Sequence, residues 1–292
     1  MKRILGIAVV LGVVGALTVG CSKEKDDVVN LGNNVVIDLG NNVKLDMVLI
    51  PAGKFLMGSK KNTVDPFSNI KVEQPDKDES PQHEVILTKQ FYIGKYEVTQ
   101  EQWFEIMGEN PSQEKGRKLP FITHHFLKSK EFIKKLNAKT NGGYRLPTES
   151  EWEYACRAGT TTTYSFGEKI TPKYANYEES KIGKPVTVGS YKPNAFGLYD
   201  MHGNLWEQCA DWYGVYPKGV VTDPKGIPER VEGRLYDGFP SRVVRGGSFS
   251  SNGSDIRSSN RYDDTSAERD WVESTLKSMR YFDVGFRLAK DK

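Results

Sequence analysis

The stretch Arg145-Leu-Pro-Thr-Glu-Ser-Glu-Trp-Glu-Tyr-Ala-Cys-Arg-Ala-Gly159 constrains this chain more than any other. Thr148 can cap a short helix, Glu151 stands at the reciprocal position of a capping box, and Trp152 and Ala155 can pack together one turn apart. The same grammar recurs at Glu97-Val-Thr-Gln-Glu-Gln-Trp103, where Thr99 caps and Gln102 closes the box. Trp103, Ile106 and Met107 then share an apolar face. A second helix is expected over Lys128–Ala138, with Phe132, Ile133 and Leu136 inward and Asn141-Gly142-Gly143 ending it. Helices this short in 292 residues, with 28 Gly, 14 Pro and 11% aromatics, describe a loop-rich globular protein. A helical bundle and a disordered chain are both excluded.

Elsewhere the pattern is that of strands. Met47–Ser59 reads as a hairpin turning at Pro51-Ala52-Gly53, and Ser80–Leu87 leads into a strand through Phe91–Gly94. Before Met47, residues 21–46 are polar and carry two near-copies, Asn30-Leu-Gly-Asn-Asn-Val35 and Asp38-Leu-Gly-Asn-Asn-Val43. A spacer is the expectation there, although the alternating apolar residues also permit one or two strands.

Lys2 and Arg3 precede an apolar run from Ile4 to Val19 that ends at Gly20-Cys21. That is the layout of a bacterial lipoprotein signal peptide over residues 1–20, cut before Cys21 with lipid on its thiol. Some 16 apolar residues are few for a spanning helix. The expectation is a cell-envelope protein held by N-terminal lipid such as palmitate on the outer surface of the outer membrane. Net charge is +3, and without Lys2 and Arg3 there are 39 basic against 38 acidic residues. This balance offers no case for nucleic acid. Cys156 and Cys209 are the two remaining cysteines. A disulfide or two inert buried thiols are both open.

The capped stretch at Arg145–Gly159 resembles the formylglycine-generating enzyme (sulfatase-modifying factor) family. So do Asn194-Ala-Phe-Gly-Leu-Tyr-Asp-Met-His-Gly-Asn-Leu-Trp-Glu207, Arg242-Val-Val-Arg-Gly-Gly-Ser248 and Gly285-Phe-Arg287. The likeness runs from about Met47 to Leu288. It implies one α+β domain over residues 47–292 with the C-type lectin fold of that family: a twisted antiparallel sheet, few helices and long loops. Enzymes of the family hold copper on two cysteines, and this chain has Ser251 and Ile256 at the matching positions. A hydroxyl and an alkyl group cannot replace soft thiolates, so no catalytic residue is assigned and no cofactor is required. An iron-dependent branch needs two histidines and a carboxylate, and His83, His124, His125 and His202 offer no such spacing. Relatives carry a structural calcium at the Gly-Asn-x-Trp-Glu turn. The resemblance therefore makes Asn204, Leu205 and Glu207 candidate ligands for a hard cation, with Asn176 a weaker addition.

The tail combines two kinds of residue. From Ser248 to Asp264, eleven of 17 positions are Ser, Asn or Asp. Arg245, Gly246, Gly247, Arg257, Ser258 and Arg261 are family-like, and small polar residues fill the intervals. This is similar to the variable proteins of diversity-generating retroelements, in which adenine-directed mutagenesis rewrites the C-terminus of a C-type lectin domain. Asn codons mutated at adenine yield Asn, Asp, Ser, Gly, Tyr and Ile, the types found here. The resemblance implies a ligand-binding face over about 242–288, made by Ser250, Ser251, Asn252, Ser254, Asp255, Ile256, Tyr262, Asp263, Asp264, Trp271, Tyr281 and Phe282. Residues 266–279 read as an insertion at its rim. The expected partner is a protein or glycan on a host or neighbouring cell. Two further readings stay open: a structural envelope lipoprotein, and an enzyme of the family with an active site built from Ser, Asp or His.

Overall fold

A computed structural model describes residues 28–32, 34–60, 77–123, 125–226, 241–264 and 283–292. The signal peptide, Cys21, Trp271, Tyr281, Phe282 and the expected insertion lie outside the described residues. Among the described residues, three sheets and three α-helices make an α+β domain. The strands are β1 Val28–Leu31, β2 Asn34–Gly40, β3 Val43–Ile50, β4 Gly53–Met57, β5 His83–Leu87, β6 Phe91–Gly94, β7 Tyr144–Arg145, β8 Trp206–Trp212, β9 Val221–Thr222, β10 Arg242–Arg245, β11 Arg261–Asp264, β12 Val284–Gly285 and β13 Ala289–Asp291. The helices are α1 Gln100–Met107, α2 Phe126–Lys139 and α3 Glu149–Arg157.

The largest sheet is antiparallel with order β1-β2-β3-β6-β13-β7, so the last strand of the chain sits between elements from its first half. Residues 28–46 therefore belong to the domain, and the expected spacer is corrected. Val35, Ile37, Leu39, Val43 and Leu45 bury one face of the β2–β3 hairpin in the core. Alternation of apolar residues, not overall polarity, was the decisive signal there. The expected Met47–Ser59 hairpin is corrected too. Pro51 and Ala52 turn the chain out of one sheet and into another, where β4 pairs with β5 and not with β3.

Both capping boxes form. Thr99 Oγ1 accepts the Gln102 N–H at 3.3 Å and Gln102 Oε1 accepts the Thr99 N–H at 3.0 Å. At α3 the reciprocal distances are 3.2 and 2.8 Å for Thr148 and Glu151. Helix α1 buries Trp103 in parallel contact with Phe121, ring centroids 3.7 Å apart, and with Phe132 of α2 at 5.4 Å. This stack closes one core between the two helices and the six-stranded sheet. A second core gathers Trp152, Ala155 and Cys156 of α3 with Leu198, Cys209 and Val243. No described helix is long and apolar enough to cross a membrane.

A pinned frame presenting a polar C-terminal face

The four-stranded sheet β11-β10-β8-β12 carries the tail. Four arginines in and around this sheet, Arg245, Arg257, Arg261 and Arg287, each meet a carboxylate, whereas Arg242 donates to the Ala210 carbonyl and stacks on Trp212. Arg287 grips Glu207 through Nε and Nη2 at 2.5 and 2.6 Å, and Trp152 Nε1 donates to the same carboxylate at 2.7 Å. Arg245 pairs with Glu153, which also accepts Arg157 Nε at 2.8 Å. Arg261 holds Glu149 at 2.7 and 2.6 Å. Arg257 holds Glu79 at 2.9 and 2.6 Å. Burial alone would raise the Glu79 carboxyl, but the Arg257 charge and its hydrogen bonds carry it below the usual range. Helix α3 thus offers Glu149 and Glu153, four residues apart, as two anchors for the tail.

Between these anchors the backbone is fixed by other side chains. Tyr164 donates its hydroxyl to the Gly253 carbonyl at 2.7 Å, and Asn260 donates to the Asp255 carbonyl at 2.6 Å. His202 Nδ1 meets the Ile256 carbonyl at 2.7 Å, while Nε2 lies 3.1 Å from the Ser165 N–H and 2.9 Å from its hydroxyl. The backbone donor at Nε2 makes Nδ1 the protonated nitrogen. Burial pushes the His202 pKa down to about 4, keeping the ring neutral in this role. Gly246 and Gly247 both have positive φ, 92° and 69°. A Cβ on Gly247 would collide with Ile256, so only glycine fits this turn.

The interval residues divide into two groups. Ser250 and Asn252 are exposed, Tyr262 is 38% exposed, and Ser254, Asp255 and Asp263 are half-buried. These six form the accessible part of the predicted face. Ile256, Ser251 and Asp264 do not, and their assignment as ligand contacts is corrected. Ile256 has no accessible surface and packs with Tyr164, Ile170, Ala175 and Tyr177. Ser251 is 8% exposed; its hydroxyl accepts the Ser248 N–H at 3.0 Å and its carbonyl accepts the Glu178 N–H at 2.9 Å. Asp264 is buried at the end of β11.

Two further side chains support the face: Asp283, at the end of the expected contact region, and Trp206, which the sequence reading did not assign to it. Asp283 lies beneath the face, taking hydroxyls from Ser248 and from Ser250, the latter at 2.5 Å. Burial raises its pKa despite these bonds. Trp206 stands beside Tyr262 with ring centroids 5.7 Å apart, and its N–H donates to the Asp283 carbonyl.

The candidate cation ligands are otherwise engaged. Glu207 is taken by Arg287 and Trp152. Asn204 Oδ1 accepts Val186 N–H and Asn176 Nδ2 at 2.9 and 3.2 Å, and its Nδ2 donates to Glu97 at 2.8 Å. One orphan remains close by, the buried Oδ1 of Asp200. Burial raises Asp200 to about 6, and burial with the charges of Asp200 and Glu207 raises Glu97 well above its ordinary value. Protons relieve this crowding of acids. Among the described residues no group of three or more His, Cys, Asp or Glu is arranged to hold a metal. The side-chain donors present do not fit the calcium that the resemblance implies.

Cys156 and Cys209 are both free and buried. Burial pushes the Cys156 thiol up to about 12 and Cys209 well above its ordinary value. Both are kept as unreactive thiols.

A family model for the sulfatase-modifying factor enzyme 1-like domain matches residues 38–292. The chain belongs to this family. Chaperone protein LppX of Paenibacillus barcinonensis is 30% identical over 221 residues, covering 58% of this chain and 72% of LppX. The serine/threonine-protein kinase pkn1 of Chlamydia caviae is 31% identical over 238 residues, 74% of this chain. Only 35% of the kinase is spanned, so its name describes a much longer protein. Treponema denticola variable protein 1 superposes with TM-score 0.68 at 24% identity, over 89% of this chain and 99% of that one, and shares its fold.

Proposed function

We propose that this protein is a lipid-anchored envelope protein that binds a ligand through the polar face of its C-terminal region and catalyses no reaction. One observation carries the reading. Ser250, Asn252, Ser254, Asp255, Tyr262 and Asp263 reach the surface from a backbone whose arginines, glycines and Ile256 are locked into the core. Substitution at such positions leaves the frame intact, since exposed changes usually stay within about 0.5 kcal/mol. Tyr262 supplies contact area at low entropic cost, and the serines and Asn252 supply adaptable hydrogen bonds. The likeness in fold to a variable protein accords with a tail that differs between cells. Copper chemistry finds no thiolate pair here: Ser251 and Ile256 stand at the positions inferred for it, and Ile256 is core. The ligand is a protein or glycan presented outside the cell.

Deep sequencing of the codons for residues 242–292 in one population tests this. Substitutions confined to interval codons, beside an adenine-richer near-repeat, are expected. An invariant tail would overturn the diversified reading. It would favour the second one, a structural or chaperone-like envelope lipoprotein, which the 30% identity to LppX supports.

A further inference from the structure

Near-neutral composition conceals a strongly sided surface. Among the described residues Glu79, Glu97, Glu149, Glu153, Asp200, Glu207, Asp211 and Asp283 are buried, and Glu79, Glu149, Glu153 and Glu207 pair there with arginines. Lysines stay outside. On the outward side of α2, Lys128, Lys130, Lys134, Lys135 and Lys139 are exposed with a single acid, Glu131. Glu131 pairs with Lys135 at 3.4 Å and Lys139 with Glu105 at 2.6 Å, leaving Lys128, Lys130 and Lys134 without a carboxylate partner among the described residues.

The adjoining loop adds Lys115, Arg117 and Lys118, all exposed; Lys118 pairs with Glu101 at 2.5 Å, Glu114 pairs with Lys184 at 2.7 Å, and Glu109 is exposed beside them. Arg117 gives only Nε to Glu101, at 2.9 Å. Two large apolar side chains interrupt this basic surface: Phe104 and Leu127, each 55% exposed. Phe104, Val43, Asn41, Lys115 and Arg117 line a cavity of about 470 Å³ between α1, the β2–β3 turn and the loop.

We propose that this face of α1, α2 and the 109–118 loop docks on an anionic phospholipid surface. Lysine ammoniums and the Arg117 guanidinium meet headgroup phosphates, and Phe104 and Leu127 enter the interface. The topology supports this occupant. Val28 pairs with Ile37, which places the start of β1 at the same end of the sheet as the Asn41–Asn42 turn that borders the cavity. Six residues lie between Cys21 and Val28, and the seven chain steps reach at most about 24 Å. A lipid on Cys21 would hold this end at the bilayer. The bilayer contact rests on the lipid-anchored part of the proposed function, whereas the preference for anionic lipid does not. Exposed Phe104 and Leu127 favour a membrane over nucleic acid.

Full-length protein would be floated with vesicles of phosphatidylcholine alone and of phosphatidylcholine with one third phosphatidylglycerol. Phosphatidylglycerol is expected to raise partitioning about tenfold or more, and high salt to cancel the gain. Lys128→Gln/Lys130→Gln/Lys134→Gln should lose that gain, keep binding to phosphatidylcholine vesicles, and melt as the wild type does. Phe104→Ser should weaken binding to both vesicles. Equal partitioning of the wild type on the two vesicles would overturn the inference, as would duplex DNA binding without a phosphatidylglycerol preference. Loss of phosphatidylcholine binding with the preference intact would instead count against the lipid anchor alone.

Discussion

His202 gives the frame a pH dependence that can be isolated. Its ring is buried and neutral, with a pKa lowered from 6.5 to about 4, first by burial and further by the Arg157 charge. An unfolded chain takes up that proton near the ordinary value, and the folded one resists until about pH 4. Stability should therefore be insensitive to this group above about pH 7 and fall as pH drops from about 6.5 to 4. At about 1.4 kcal/mol per pH unit, the loss is roughly 3 kcal/mol.

His202→Asn retains a donor for the Ile256 carbonyl and removes the titration. It leaves the Ser165 N–H without its acceptor, a pH-independent cost of about 1–3 kcal/mol. Asp200 and Asp211 titrate in the same range with opposite sign, so the informative quantity is the difference between wild type and variant. Urea unfolding between pH 7.5 and 4.5 should show the wild-type advantage shrink by roughly 3 kcal/mol as pH falls, so that the two curves meet or cross. Parallel curves would refute the reasoning, since His202 would then titrate alike in the folded and unfolded chains.

Other outcomes follow from the same contacts. Asp211 is raised to about 7, chiefly by burial and then by the Glu149 charge, so the fold favours its neutral form and loses stability as pH rises from about 4 to 7. Asp211→Asn should thus unfold at higher urea than wild type at pH 8, with the advantage gone at pH 4. Glu153→Ala strands Arg245 and Arg157 in the core at a cost of about 3–5 kcal/mol. Its melting temperature should fall by roughly 10 °C. Asn252→Ala/Ser254→Ala/Tyr262→Ala should melt within about 2–3 °C of wild type, and a comparable fall would contradict a separable binding face. Cys156 and Cys209 should resist a thiol reagent at pH 8 in the native protein and react after denaturation; ready native labelling would show that the α3 core opens.

What the sequence disclosed was local. Capping boxes need only four residues, so Thr99–Gln102 and Thr148–Glu151 were legible and placed two of the three helices. The β2–β3 hairpin was obscured because Asn41, Asn42 and the acidic residues nearby make the segment polar on average. Its inward positions, Val35, Ile37 and Leu39 on one strand and Val43 and Leu45 on the other, are apolar at every second residue on each side of the turn. For the site, family resemblance marked the arginines as framework but gave no partners for them. Glu149 and Glu153 lie about 100 residues from Arg245 and Arg261 in sequence. Their one local signal was acids four apart on a helix that also buries Trp152. Ile256 misled for a related reason: a residue type reachable by codon mutation looks variable, whereas Gly247 leaves a hollow that this side chain fills.

Charge shows the same limit from the other direction. A net charge of +3 is a sum over positions, and burial divides that sum unequally. Each carboxylate that an arginine draws into the core disappears from the surface together with one strongly hydrated charge. Arginine suits such pairs because its planar fork can satisfy both oxygens of a carboxylate, as at Glu207, Glu149 and Glu79. Lysine, more strongly hydrated and flexible, stays outside. An arginine–carboxylate pair removes equal and opposite charge from the surface, so these pairs hold the C-terminal frame together without making another face basic. The basic character of α2 comes from the lysines left outside, five against the single acid Glu131.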